Sequence, residues 1–381
     1  MEEQRMPEPF KNLFNPGMIA EMGAHLQRHD ARFDGGRFER LATHGLDALE
    51  LKQRSNHILN ALDETLPDDF AAAVRLMLTA LHPEEHADLS EQSMDARGIR
   101  GWAVMPMADY VARHGLADFD FSMDALKQMT KRMSSEFAVR PFLAHDPERA
   151  MPHVRDWATD ENYHVRRLAS EGTRPRLPWG MRLNHLVKDP TPLLPVLETL
   201  RDDPEDYVCR SVANHLNDIA KDHPDLVSAT ARDWLADGPP ERRRKLVRHA
   251  CRTLIKQGHA PTLKAFGFGR PRVKLASFEL SRRKVRFGQD MLIRVALLSE
   301  TDVAQDLLVD YVVHHRKANG TTSPKVFKWT TLRLPGRAGS ALEKRHMFRP
   351  VTTRTYHNGT HAIEIQINGC SLGRVEFELV M

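Results

Sequence analysis

The chain has 381 residues, of which 41% are hydrophobic and 28% charged, with only three cysteines. That length allows two or three domains with cores of their own, and Cys209, Cys251 and Cys370 are too few and too scattered for a disulfide framework or a cysteine-built zinc site. The opening MEEQRMPEPFKNLF lacks a basic-then-apolar leader and no run of 18 apolar residues occurs, so a soluble, cytoplasmic protein without a membrane span is expected.

The net charge of +4 is an average over two unlike parts. Residues 270–381 hold 19 basic and 10 acidic residues, or +9, which leaves 36 basic and 41 acidic residues, or −5, in 1–269. A basic appended module on a slightly acidic larger one points to a polyanion held partly by the appendage.

Residues 10–265 read as helical, with apolar positions three and four apart, as in Ile58, Leu62 and Leu66, or Phe70, Val74, Met77 and Leu78. Within this part a repeat recurs. Asp146-Pro147, Asp189-Pro190 and His223-Pro224 each precede an apolar residue (Trp157, Leu200, Trp234) by ten positions counted from the proline. A proline in the first turn is a sound helix opening. Second helices follow at Val165–Ala169, Val208–Val212 and Val247–Ala250, and stacked helix pairs of this kind form HEAT-like repeats. The spacing from Pro147 to Pro190 is 43 residues and from Pro190 to Pro224 is 34. The nine extra residues match Gly172–Gly180, GTRPRLPWG, which interrupts a helix that the next repeat keeps whole. Loop insertions on one face of a repeat array often carry the binding site.

From about Val273 the period becomes two. Leu307, Val309, Tyr311 and Val313 alternate with the residues between them, as do Ile363, Ile365 and Ile367, and Val375, Phe377 and Leu379. Turn signals at 287–290, 318–320, 335–336, 358–359 and 368–369 separate six or seven short strands, which fits an immunoglobulin-like β-sandwich. The expected fold class is therefore multidomain, α then β: a HEAT-like-repeat solenoid over 1–268 and an immunoglobulin-like, polyanion-binding sandwich over 272–381.

Aligning the second helices places Arg167 with Arg210 and Glu171 with Asn214, with Asp218 one turn beyond Asn214. One repeat earlier Glu136 and Arg140 are again i, i+4, so three successive helices are predicted to offer the acids Glu136, Glu171 and Asp218 on one surface. Singly each reads as a solvated ion pair; their repeat-equivalent placement beside the inserted loop favours convergence.

Glu171-Gly172-x-Arg174-Pro175-Arg176-Leu177-Pro178-Trp179, preceded by Val165-Arg166-Arg167 and followed by Asn214-His215-Leu216-Asn217-Asp218, resembles the AlkC-type alkylpurine DNA glycosylases, a HEAT-like-repeat repair family, over roughly residues 8–265. Part of that family carries an immunoglobulin-like C-terminal domain. The resemblance implies excision of cationic methylated bases, notably 3-methyladenine, from duplex DNA without flipping the lesion into a pocket, by a bacterial protein acting at the nucleoid.

The residues suit that chemistry. A ring-alkylated base is already a cationic leaving group and needs no general acid, whereas the sugar becomes oxocarbenium-like. A carboxylate beside C1′ stabilises that charge and orients or deprotonates water. Asp218 and Glu171 are assigned nearest the sugar, with Glu136 supporting the water and Trp179 stacking on the lesion or deoxyribose. Phosphate contacts are assigned to Arg140, Arg166, Arg167, Arg174, Arg176, Lys221 and Arg248, with Lys52 and Arg54 earlier and the cluster Arg282, Arg283, Lys284 and Arg286 at a strand turn. No HExxH or comparable ligand pair is present, so no metal and no cofactor are expected. Phe266-Gly267-Phe268-Gly269 follows no strand and reads as a linker, and Trp102, Pro106 and Tyr110 read as packing residues. The expected partner is double-stranded DNA containing alkylated bases, and the expected state a monomer. The competing readings are a non-enzymatic HEAT-repeat scaffold and a damage-binding protein without catalysis.

Overall fold

The computed structural model describes residues 9–88, 93–236, 238–352 and 354–381. By contacts the chain divides into two compact units, Met1–Asp222 and His223–Met381.

The first unit is helical. It runs through α1 (Pro16–His29), α2 (Gly35–Thr43), α3 (Leu51–Asp63), α4 (Phe70–Thr79), α5 (Val104–His114) and α6 (Phe119–Thr130). The part that builds the site follows: α7 (Arg140–His145), α8 (Pro147–Trp157), α9 (Tyr163–Glu171), α10 (Asn184–Lys188), α11 (Leu194–Leu200) and α12 (Asp206–Ile219). The Asp-Pro signals open helices for a physical reason. The Asp146 carboxylate accepts the Arg149 amide at 3.0 Å while Pro147, which has no amide to satisfy, occupies the first turn of α8. Asp189 accepts the Thr191 amide at 3.0 Å in the same way, one short helical turn before α11. Asn162 caps α9 through the His164 amide at 2.9 Å. Trp157 and Leu200, the apolar residues ten positions on, are 1% exposed and seal the ends of α8 and α11.

The second unit opens with α13 (Pro224–Leu235), α14 (Glu241–Ala250), α15 (Arg252–Lys256) and α16 (Ala260–Ala265). Among the described residues eight strands follow, where six or seven were expected: β1 (Val273–Leu280), β2 (Lys284–Arg286), β3 (Asp290–Ser299), β4 (Gln305–Arg316), β5 (Thr322–Leu334), β6 (Gly339–Met347), β7 (Gly359–Ile367) and β8 (Cys370–Val380). They form a three-stranded sheet, β1-β3-β6, and a five-stranded sheet, β2-β8-β7-β4-β5. Period-two residues close the core between them: Ile293 and Val295 from one sheet meet Tyr311, Ile363, Ile365 and Phe377 from the other. Lys284–Arg286, read from the sequence as a turn, is a short edge strand parallel to β8, because Val285 is fully buried in that core. A bulge in β5 at Trp329 lies opposite the Val309/Asp310 step of β4. Among the described residues no helix is long and apolar enough to cross a membrane.

Candidate functional site

Helices α9 and α12 lie side by side, and the loop Gly172–Leu183 folds against them. Arg140 fixes that loop at both ends. Its Nη1 donates to the Gly172 carbonyl at 2.7 Å and its Nε to the Met181 carbonyl at 2.6 Å. Arg140 is wholly buried, and burial, reinforced by the nearby Arg174 charge, pulls its pKa down to about 10. Arg176 ties the middle of the loop to Asp222 through two bonds of 2.7 Å.

Trp179 sits at the tip of this loop, 77% exposed and with φ of +64°. A tryptophan in the left-handed region costs on the order of 1 kcal/mol or more, so the surroundings must impose it. Lys52 on α3 contributes by donating its ammonium to the Trp179 carbonyl at 2.5 Å. The exposed indole is not a core residue.

Below the loop the three predicted acids join one ladder of alternating charge. Arg167 Nη1 donates to Glu136 at 2.5 Å, and its Nη2 stands 3.6 Å from Glu171. Arg174 donates Nη1 to Glu171 at 2.6 Å and Nε to Asp218 at 2.8 Å, and Lys221 reaches the other Asp218 oxygen at 2.9 Å. Burial opposes the charge on Arg167 and Arg174, but the adjoining carboxylates outweigh it and hold both guanidinium groups above the ordinary arginine value. Arg167 also lies over the ring of Tyr207, 4.6 Å from its centroid. Burial pushes the fully enclosed His215 down to about 3, helped by Arg174, so it stays neutral beside the ladder.

Glu136, Arg167, Glu171 and Arg174 open into a cleft of about 350 Å³, walled by Trp102, Phe137, Trp179 and Tyr207. Asp218, 2% exposed, does not line it and lies behind Arg174.

Several expectations change at this point. Glu136 lies in a turn before α7, not on a helix, because Pro141 stops that helix from extending backwards. On α12, of the aligned polar positions Arg210 is exposed, Asn214 half-buried and Asp218 buried, and Ser211, His215 and Asp218 form a buried polar stripe at i, i+4, i+7. Arg140 and Arg54 do not face outward for phosphates. Arg54 is 5% exposed and spends its donors on the carbonyls of Leu49, Lys11 and Phe14. Arg166 is held by Asp203 at 2.6 and 3.1 Å. Arg248 is on α14 in the second unit. Arg282, Arg283, Lys284 and Arg286 are exposed beside the β2 edge, where Arg282 meets Gln289 and Arg283 the Glu376 carbonyl.

The sequence reading missed Ser211, whose hydroxyl donates to Glu171 Oε2 at 2.6 Å and whose oxygen lies 2.9 Å from Ser170 Oγ. The available signal was a serine at the position where the aligned helix has the apolar Leu168. Trp102, read as packing, and Tyr207 are cleft walls.

Comparison with known proteins bears on this arrangement. Residues 107–254 match the family model described as "DNA alkylation repair enzyme", and residues 274–381 match that of the C-terminal Ig-like domain of YhaZ. The uncharacterized protein YhaZ of Bacillus subtilis (strain 168) is 33% identical over 372 residues, covering 97% of this chain and 99% of that one. The alkylpurine DNA glycosylase AlkC of Pseudomonas fluorescens, solved bound to DNA containing an abasic site analog, superposes with a TM-score of 0.84 at 34% identity, covering 98% of this chain and 100% of that one. The chain thus belongs to the AlkC-type family of DNA alkylation repair proteins, in which HEAT-like helical repeats are followed by an immunoglobulin-like domain.

Proposed function

We propose that the protein hydrolyses the N-glycosidic bond of cationic alkylated bases, 3-methyladenine foremost, in duplex DNA. The observation that carries this reading is the ladder Glu136–Arg167–Glu171–Arg174–Asp218 beneath an exposed tryptophan in a strained loop. A sugar that turns cationic gains from carboxylates already fixed in place, and these are fixed by guanidinium groups and by Ser211. Glu171 and Asp218 stabilise the oxocarbenium-like sugar, and Glu136 orients the water. Because the leaving base is already charged, it requires neither a general acid nor an enclosing pocket, and the reaction proceeds without base flipping. Trp179 lies against the lesion or its deoxyribose.

Arg174 links binding to chemistry. A backbone phosphate competes with Asp218 for its guanidinium, and exchange of partners uncovers Asp218 towards the sugar. Lys52, Arg167, Arg176 and Lys221 border the same region and are proposed to supply further phosphate contacts, with Arg282, Arg283, Lys284 and Arg286 adding a grip from the sandwich. The DNA-bound state of the Pseudomonas fluorescens relative supports DNA as the partner. Purified protein incubated with methylated duplex DNA should release 3-methyladenine in multiple turnovers. Release no faster than from DNA alone overturns the reading.

A further inference from the structure

The second unit contains a cleft of another kind, built wholly from its own residues. It lies between α14–α15 and strands β4 and β5, with a volume of about 340 Å³, at the small end of ligand-sized clefts. Its floor is apolar, formed by Ile255, Leu308 and Val326. Around the rim stand Lys245, Arg248, Lys256 and Lys328, all exposed. Among the described residues none of these four makes an ion pair with a carboxylate.

Asp310, the one acid lining the cleft, lies deep in it at 7% exposure. The β5 bulge turns the Trp329 amide towards it, and the charges of Lys328 and Arg248 act on it from the rim. This placement divides the cleft by depth. An anion seated on the floor meets Asp310, whereas an anion at the rim meets these four cations, with Arg252 also lining the cleft. The floor therefore accepts an apolar group and the rim accepts negative charge around it. Duplex DNA offers rim phosphates but nothing to fill the floor.

We propose that this cleft docks an acidic peptide segment of a partner protein, which buries one aliphatic or aromatic side chain on Ile255, Leu308 and Val326 and sets its carboxylates against the rim. The proposal does not depend on the glycosylase reading. Its test is fluorescence anisotropy on the full-length protein with a labelled decapeptide of Asp and Glu carrying one central Phe. The comparison probes are the same peptide with Ser in place of Phe and an unmodified 16-base-pair duplex. The Phe peptide should bind, the Ser peptide roughly tenfold or more weaker, as expected for losing a buried aromatic side chain. Lys256→Glu and Lys328→Glu, both at exposed positions, should each weaken the Phe peptide about tenfold and leave 3-methyladenine release unchanged. No binding of the Phe peptide, or equal binding of the two peptides, overturns the proposal. A parallel loss of duplex affinity and base release in the two lysine variants also overturns it and assigns the cleft to DNA.

Discussion

Two clefts, one in each unit, treat charge differently. In the first unit, beside α9, each carboxylate of the ladder touches a cation and each of its cations touches a carboxylate, from Glu136 through Arg167, Glu171, Arg174 and Asp218 to Lys221. In the second, five cations line a cleft with an apolar floor, and among the described residues the buried Asp310 makes no ion pair with any of them. A balanced ladder holds its members still before any ligand arrives, which suits charge that develops only during a reaction. An unbalanced rim leaves its charges to be neutralised by whatever binds. Acids in the one setting are held in place by their partners; the acid in the other is a cost that the fold tolerates.

Removing a rung should break the first setting most. Arg174→Ala leaves Glu171 and Asp218, 6% and 2% exposed, without the cation between them. Loss of one partner from a buried pair costs about 3–5 kcal/mol, so urea denaturation should show the first unit destabilised by that order. A change below about 1 kcal/mol would mean that the ladder is not a structural unit.

Asp310 sharpens the contrast through pH. Burial raises its pKa to about 6, against the opposing pull of Lys328 and the Trp329 amide. The native state then binds this proton more tightly than the unfolded chain, so stability falls as pH rises from about 4 to 6 and stays lower above. Asp310→Asn removes that cost and should stabilise the protein by up to about 3 kcal/mol at pH 7.5, with the gain fading towards pH 4. Thermal melts at both pH values check it, and a pH-independent difference would contradict it.

The smallest expected effect is at the loop tip. Trp179→Ala should leave the melting temperature nearly unchanged, since the ring is exposed, yet slow base release roughly 3- to 30-fold. Equal rates would remove Trp179 from the lesion.

Much of this arrangement is written in local sequence. Asp146-Pro147 and Asp189-Pro190 announce helix starts because cap and proline act within one turn. The nine-residue excess at Gly172–Gly180 exposes the loop because the neighbouring repeat supplies an internal ruler. What escapes is what depends on distant backbone. Arg54 and Arg140 carry charge and read as phosphate contacts, but their acceptors are carbonyls, which no sequence pattern marks. The i, i+4 spacing of Glu136 and Arg140 survives as proximity within the site although the segment is a turn, since Pro141 forbids the helix. Ser211 is visible only as a polar residue where the aligned helix has Leu168, and its bond to Glu171 spans 40 positions.

The central claim is that a fixed carboxylate makes the bond break. Single-turnover release of 3-methyladenine from methylated duplex DNA, compared between the native protein and Asp218→Asn, tests it most directly. The substitution keeps size while removing the charge and turning one of the two acceptor oxygens into a donor, and release should fall by roughly 100- to 1,000-fold with duplex affinity retained. Native rates from Asp218→Asn would contradict the account.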